Sequence, residues 1–226
     1  MRAREGFATL SFRRRFVQRV GQLLAVTIAR VHVRGLRYLP DGAALLASNH
    51  PGHVDPLLLV AVLPDPPEII ALADLLEEWV APLVRVYEPI IVHRDEVDRE
   101  VLRRALAGLE QGKQVLLFPE ARVSRTGAME QAREGIGYLA LKAGVPVVPI
   151  AITGTERIFA AWRRFSRPYL TVTVAPPILP ERDSRLSRRA QRQALTRQVM
   201  CSIAAHLPPT DRGVYGGAEC EGSIAE

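Results

Sequence analysis

Residues 43–62 read AALLASNHPGHVDPLLLVAV. Two apolar runs flank a short polar turn. Residues 43–48 have the length of a buried strand, and a helix needs a longer run. Asp55 followed by Pro56 is a helix-start signal, because both residue types suit the first turn. Residues 57–62 carry that helix on. The stretch is therefore strand, turn, helix, with Asn49, His50, Gly52 and His53 on the turn. Functional groups gather at such turns in α/β folds.

The same alternation recurs outward from this unit. Strand-like runs cover 31–35, 43–48, 68–73, 90–92, 114–118, 146–152 and 169–175. Helix-like patterns cover 55–63, 75–86, 96–111, 130–143 and 184–206. This predicts an α/β fold with a mixed, largely buried sheet flanked by helices. The continuous apolar runs at 115–118 and 147–150 suit strands covered on both faces. Pro149 lacks an N–H and points to an edge or a bulge for its strand. With 226 residues, 48% of them hydrophobic, the chain can bury one substantial core. The pattern divides it into an N-terminal helix (1–30), a main domain (31–207) and a tail (208–226). The tail has few large apolar groups and is expected to be loose.

The net charge of +6 is unevenly placed. Residues 1–40 hold nine arginines and a single acid, Glu5, ahead of Asp41. Within residues 12–31, Phe12, Phe16, Val20, Leu23, Leu24 and Ile28 recur at three- and four-residue steps, with Arg13, Arg14, Arg15 and Arg19 mostly off that stripe. A basic amphipathic helix of this kind can lie in a membrane interface with its apolar face inserted, and anionic lipids are the expected partner. The alternative is a helix packed on its own domain. Nucleic acid is not expected as a partner, because aromatics make up only 6% and no stacking signature is present. No uncharged run exceeds 13 residues, whereas a spanning helix needs about 20 apolar ones. No apolar signal core precedes the arginine cluster. The expectation is a peripheral protein at the cytoplasmic face of the membrane, without a transmembrane helix or signal peptide. Cys201 and Cys220 make neither a disulfide framework nor a metal site, and a reducing compartment is the default.

Two constellations carry chemistry. In the first, His50 and Asp55 are spaced so that the turn can bring them together. An imidazole can take a proton from a hydroxyl, and a carboxylate on its other nitrogen fixes the tautomer. The spacing alone also fits a loop histidine and a simple helix cap at Asp55. A metal reading of His50, His53 and Asp55 lacks a further ligand, so no metal is expected. In the second, the strand at 114–118 runs into Phe118-Pro119-Glu120-Ala121-Arg122-Val123-Ser124-Arg125-Thr126-Gly127. On extended backbone Glu120 and Arg122 would face the same side. Arg122 can bind a phosphate through paired hydrogen bonds. A surface loop with an ordinary ion pair is the alternative. His93-Arg94-Asp95 does not read as a kinase motif, since position 100 is Glu and no glycine-rich loop precedes it.

Taken together, the two constellations resemble the glycerolipid acyltransferases, the family of 1-acyl-glycerol-3-phosphate acyltransferase. Asn49, His50 and Asp55 match its Asn-His-x4-Asp motif. The strand 90–92 leading to Arg94 looks like its second motif, and Phe118-Pro119-Glu120 opens its third. The run 145–150 is similar to its fourth. The third motif departs from the family's Phe-Pro-Glu-Gly-Thr-Arg-Ser: Ala121 stands where Gly is usual, and Arg122 follows directly. That form is closer to the lysophospholipid-remodelling branch, such as 2-acylglycerophosphoethanolamine acyltransferases. The resemblance implies transfer of an acyl group from acyl-CoA or acyl-carrier protein to a lysophospholipid hydroxyl, with no cofactor. His50 would be the general base and Asp55 its orienter. Arg94, Glu120 and Arg122 would hold the acceptor, with Asn49, Phe118 and Pro119 supporting the motifs. The acceptor implied first is 1-acyl-glycerol-3-phosphate, with lysophosphatidylethanolamine as the alternative. A non-catalytic basic membrane-binding protein would explain the N-terminal charge but neither motif.

Overall fold

The computed structural model of the chain describes residues 2–72, 81–92, 99–217 and 220, with the side chains of 2–11, 72, 92, 99 and 101 left aside. Seven strands form one mixed sheet, and each of the seven strand-like runs supplies one. They are β1 (Arg30–Arg34), β2 (Ala44–Ser48), β3 (Glu68–Leu72), β4 (Ile90–Val92), β5 (Gln114–Leu117), β6 (Val147–Thr153) and β7 (Tyr169–Val174). Their order is β1-β7-β6-β2-β5-β3-β4. All neighbours are parallel except β6 and β7.

The helices are α1 (Arg2–Ile28), α2 (Asp55–Val62), α3 (Ala81–Tyr87), α4 (Arg99–Glu110), α5 (Gly135–Ala143), α6 (Ile158–Arg163) and α7 (Arg188–Ala205). They cover both faces of the sheet. Leu45, Ala47, Val115 and Val147 pack with residues of α4, α5 and α7. Leu46, Leu116, Val148 and Ile150 pack with residues of α1, α2, α3 and α6. Neighbouring residues of β2, β5 and β6 thus enter different cores, as the two-residue period of a strand requires. The short α6 does not stand out in the sequence, because six residues give no helical period to read.

Three features differ from expectation. Pro149 lies on β6, between β7 and β2, and so on an interior strand. Its carbonyl accepts the Ala175 N–H at 2.9 Å, one residue past the end of β7. The missing N–H therefore falls where the β6–β7 ladder is ending anyway. Second, residues 208–217 are not loose. Met129 N–H donates to Asp211 O at 2.9 Å, and Ala132 N–H donates to the hydroxyl of buried Tyr215 at 3.0 Å. Cys220 forms a disulfide with Cys201 of α7. One aromatic and one cross-link anchor a segment whose average composition reads as tail. Third, that disulfide runs against the reducing compartment expected from the cysteine count.

The inward face of α1 is not its apolar stripe. Arg14, Val17, Gln18 and Gly21 are buried, whereas Phe12, Phe16 and Leu23 are exposed. Arg14 donates to Glu68 at 2.7 Å and to the carbonyls of Tyr87 and Glu88 at 3.0 Å. Gln18 donates to Leu63 O at 2.7 Å. Gly21 lets α1 approach α2, since a Cβ there would lie 3.2 Å from that of Ala61. Among the described residues, no helix is long and apolar enough to cross a membrane.

Candidate active site

The register of the parallel strands β2 and β5 pairs Ala47 with Leu117. Both chains leave the sheet at the same edge, and the two motifs emerge side by side. His50 follows β2, and Glu120 follows β5. β6 ends at this edge too and supports the first motif: the Asn49 amide donates to Ile152 O at 2.9 Å and accepts from Ile152 N–H at 2.8 Å. Asn49 is thereby locked to the neighbouring strand while the chain turns.

His50 Nδ1 lies 2.7 Å from Asp55 Oδ2. A carboxylate only accepts, so the ring proton belongs on Nδ1, and Nε2 is left with its lone pair. The same Asp55 oxygen accepts the Gly52 N–H at 2.9 Å, closing the turn. The N-cap of α2 is Val54, with no side-chain cap, so Asp55 is not a simple helix cap. It sits in the first turn of α2, where the helix dipole favours negative charge. Its Oδ1 is buried without a hydrogen-bond partner among the described residues. Phe118 stacks on the imidazole with centroids 4.1 Å apart, holding the ring against rotation. Gly52 is needed for its size: a Cβ there would lie 2.8 Å from the Thr155 backbone.

Glu120 ties the two motifs together. Its carboxylate accepts His50 N–H at 3.1 Å and Glu130 N–H at 2.7 Å. Burial pushes its pKa up, against the two N–H groups, which pull it down. The return bond is Ser124 N–H to His50 O at 2.8 Å. Glu120 and Arg122 do not face one side as extended neighbours would. Ala121 N–H donates to Phe118 O, and Ala121 has φ 57°, so the chain turns between them. Glu120 points inward. Arg122 stays partly exposed and pairs with Glu130, which also accepts Arg125 N–H at 3.1 Å. Arg122 and Arg125 draw the Glu130 carboxyl below its usual range, chiefly through that N–H. Glu120, Arg122, Glu130, Arg133 and Val214 line a pocket of about 810 Å³. Pro119 contributes its carbonyl to Arg133 N–H at 2.9 Å. Arg94, the expected residue after β4, lies outside the described residues. Glu130 and Thr155 are the site residues that pattern reading misses. Each becomes visible only when two loops meet, and neither has a motif neighbour to mark it.

A family model described as Acyltransferase matches residues 30–153, more than half of the chain. The chain belongs to the acyltransferase family. The matched span contains both constellations. The chain is 31% identical over 163 residues to mouse 1-acyl-sn-glycerol-3-phosphate acyltransferase alpha, covering 67% of this chain and 56% of that protein. It is 28% identical over 147 residues to the 1-acyl-sn-glycerol-3-phosphate acyltransferase of Limnanthes douglasii, covering 60% and 50%. The chain thus spans about half the length of these relatives. The crystal structure of the 1-acyl-sn-glycerophosphate (LPA) acyltransferase PlsC from Thermotoga maritima superposes with a TM-score of 0.63 at 22% identity, covering 82% of this chain and 78% of that one. At that identity the likeness speaks for the acyltransferase fold.

Proposed function

We propose that this acyltransferase transfers a fatty acyl group from an acyl thioester to the free hydroxyl of 1-acyl-glycerol-3-phosphate, with His50 as general base. The observation that carries the reading is the 2.7 Å contact between His50 Nδ1 and Asp55 Oδ2, which leaves Nε2 as an acceptor. Nε2 takes the acceptor's hydroxyl proton as the oxygen attacks the thioester carbonyl. The C–S bond then breaks, and the departing thiolate takes the proton back from the imidazolium. Asp55 stabilises that cation while it exists. No enzyme nucleophile is required. The choice of acceptor follows the names of the relatives, and acyl-CoA or acyl-carrier protein would supply the thioester.

Arg122, with Arg94, would bind the acceptor's phosphate, and Glu120 would act by holding the two loops in register. The exposed Phe12, Phe16 and Leu23 of α1 would enter an anionic lipid surface, since the helix turns its other face to the domain. Palmitoyl-CoA offered with lysophosphatidic acid or lysophosphatidylethanolamine tests the assignment. His50→Ala is expected to lower kcat by roughly 10²–10⁴. Undiminished turnover in that variant would overturn the base, and a preference for lysophosphatidylethanolamine would overturn the acceptor.

A further inference from the structure

The turn between α6 and β7 holds an arrangement that neither the core nor the His50 turn requires. α6 closes with Arg164 and Ser166 N–H groups on Ala161 O, both at 3.0 Å, and Phe165 N–H on Trp162 O at 2.9 Å. Helix ends of this kind usually put glycine in the left-handed position. Here that residue is Phe165, with φ 53°. A bulky side chain at positive φ is a backbone outlier. Core packing does not compensate for it, because Phe165 is 101% exposed, the full reference value.

The surroundings are cationic and apolar together. Residues 157–180 contain Arg157, Arg163, Arg164 and Arg167 and no acid. All four arginines are exposed, as are Phe159 and Tyr169. Arg157 pairs with Glu156 at 3.1 Å, whereas among the described residues neither Arg163 nor Arg164 meets a carboxylate. The turn is also fastened to the end of α1. Arg167 donates to Val26 O and, at 2.7 Å, to Ala29 O, while Trp162 Nε1 donates to Ile28 O at 3.1 Å. That end of α1 exposes Leu23 and Val26. In the other direction α6 follows closely on Thr155, the residue against which Gly52 of the His50 turn packs. Its six residues span about 9 Å.

We propose that the α6–β7 turn is a second membrane contact. The Phe165 ring enters the acyl region of an anionic bilayer, and Arg163 and Arg164 meet the lipid phosphates. An aromatic beside two arginines that meet no carboxylate among the described residues matches the layering of that surface, apolar below and anionic above. Its attachment to α1 makes one docking surface of two elements, and α6 joins that surface to the His50 turn. The inference extends the lipid-acceptor reading, but the binding it predicts does not depend on acyl transfer.

Phe165→Gly removes the ring while suiting the backbone, so the melting temperature should not fall. Co-sedimentation of the full chain with phosphatidylcholine vesicles containing phosphatidylglycerol should weaken about tenfold, as expected for loss of one inserted aromatic. Arg163→Glu with Arg164→Glu should weaken binding to the same vesicles by about tenfold or more. Wild-type binding by both variants would overturn the proposal. So would a concentration-dependent dimer, seen by light scattering and abolished in Phe165→Gly, since the ring would then cover a second copy. Transfer to detergent-dispersed lysophosphatidic acid, assayed in parallel, separates the two readings. No transfer with Phe165-dependent vesicle binding overturns lysophosphatidic acid as the acceptor and supports the membrane contact.

Discussion

Glu68 and Glu120 are buried almost alike, 6% and 5% exposed, yet their surroundings treat them oppositely. Glu68 sits where α1 meets the sheet, between the Arg14 guanidinium and the Lys113 ammonium, each at 2.7 Å. Burial alone would raise its pKa, but the two cations outweigh burial and hold it below the usual range. Glu120 sits between the two motif loops and, among the described residues, its hydrogen bonds come from backbone N–H groups, so burial prevails and its pKa rises. The first carboxylate is an anchor satisfied by full charges. The second is a clamp satisfied by dipoles, beside a site where a cation would form on His50. A permanent cation placed there would oppose that imidazolium, whereas peptide dipoles do not add net charge.

The largest effect should come from breaking the anchor. Arg14→Met leaves Glu68 with one cation instead of two, and removes the hydrogen bonds to the carbonyls of Tyr87 and Glu88. A loss of about 3–5 kcal/mol in urea unfolding is expected, with the KM of the folded fraction unchanged. A changed KM would mean that the anchor and the site are one unit.

The pH dependence of stability separates the carboxylates by sign. Glu68 has a lowered folded pKa. Its contribution is present above its unfolded value of about 4.3 and is lost as pH falls through the folded value. Glu68→Gln should therefore be far weaker than the parent at pH 7, with the gap closing in acid. Glu120 has a raised folded pKa. Its contribution is full below the unfolded value and is lost as pH rises through the folded one. The gap between the parent and Glu120→Gln should narrow as pH rises. Parallel curves for the two variants would erase the contrast.

The smallest effect concerns the turn that points Glu120 inward. Ala121 occupies the left-handed region, which costs an ordinary residue about 1 kcal/mol relative to Gly. Ala121→Gly should raise stability by about that amount in the same urea titration. A destabilised variant would show that the Ala121 methyl packs usefully and that the turn is not strained.

Much of the fold is legible in the linear chain because strands of a covered sheet must be continuous apolar runs. All seven lie on strand-like runs, and β2 and β6 are the plainest continuous ones, whereas β1 and β7 alternate. The His50–Asp55 pair is legible for a related reason. A five-residue separation across a strand-to-helix turn is a local geometry, closed by neighbouring residues and by Gly52. The placing of Pro149 was not legible, since whether a missing N–H matters depends on where a neighbouring strand stops. Nor was the role of residues 208–217 and 220, where Tyr215 and Cys220 outweigh the average composition.

The sequence by itself determined the α/β alternation, the family and the two motifs, because these rest on spacing within short segments. Tertiary structure alone decided which face of α1 turns inward. An apolar stripe predicts burial in something, but the domain took Arg14, Val17, Gln18 and Gly21 instead. Glu68, the carbonyls of Tyr87 and Glu88, and the close approach of Ala61 made that polar face the better fit. Tertiary structure likewise set the opposite environments of Glu68 and Glu120. A carboxylate's charge state depends on what other segments bring to it, and that information lies far away along the chain.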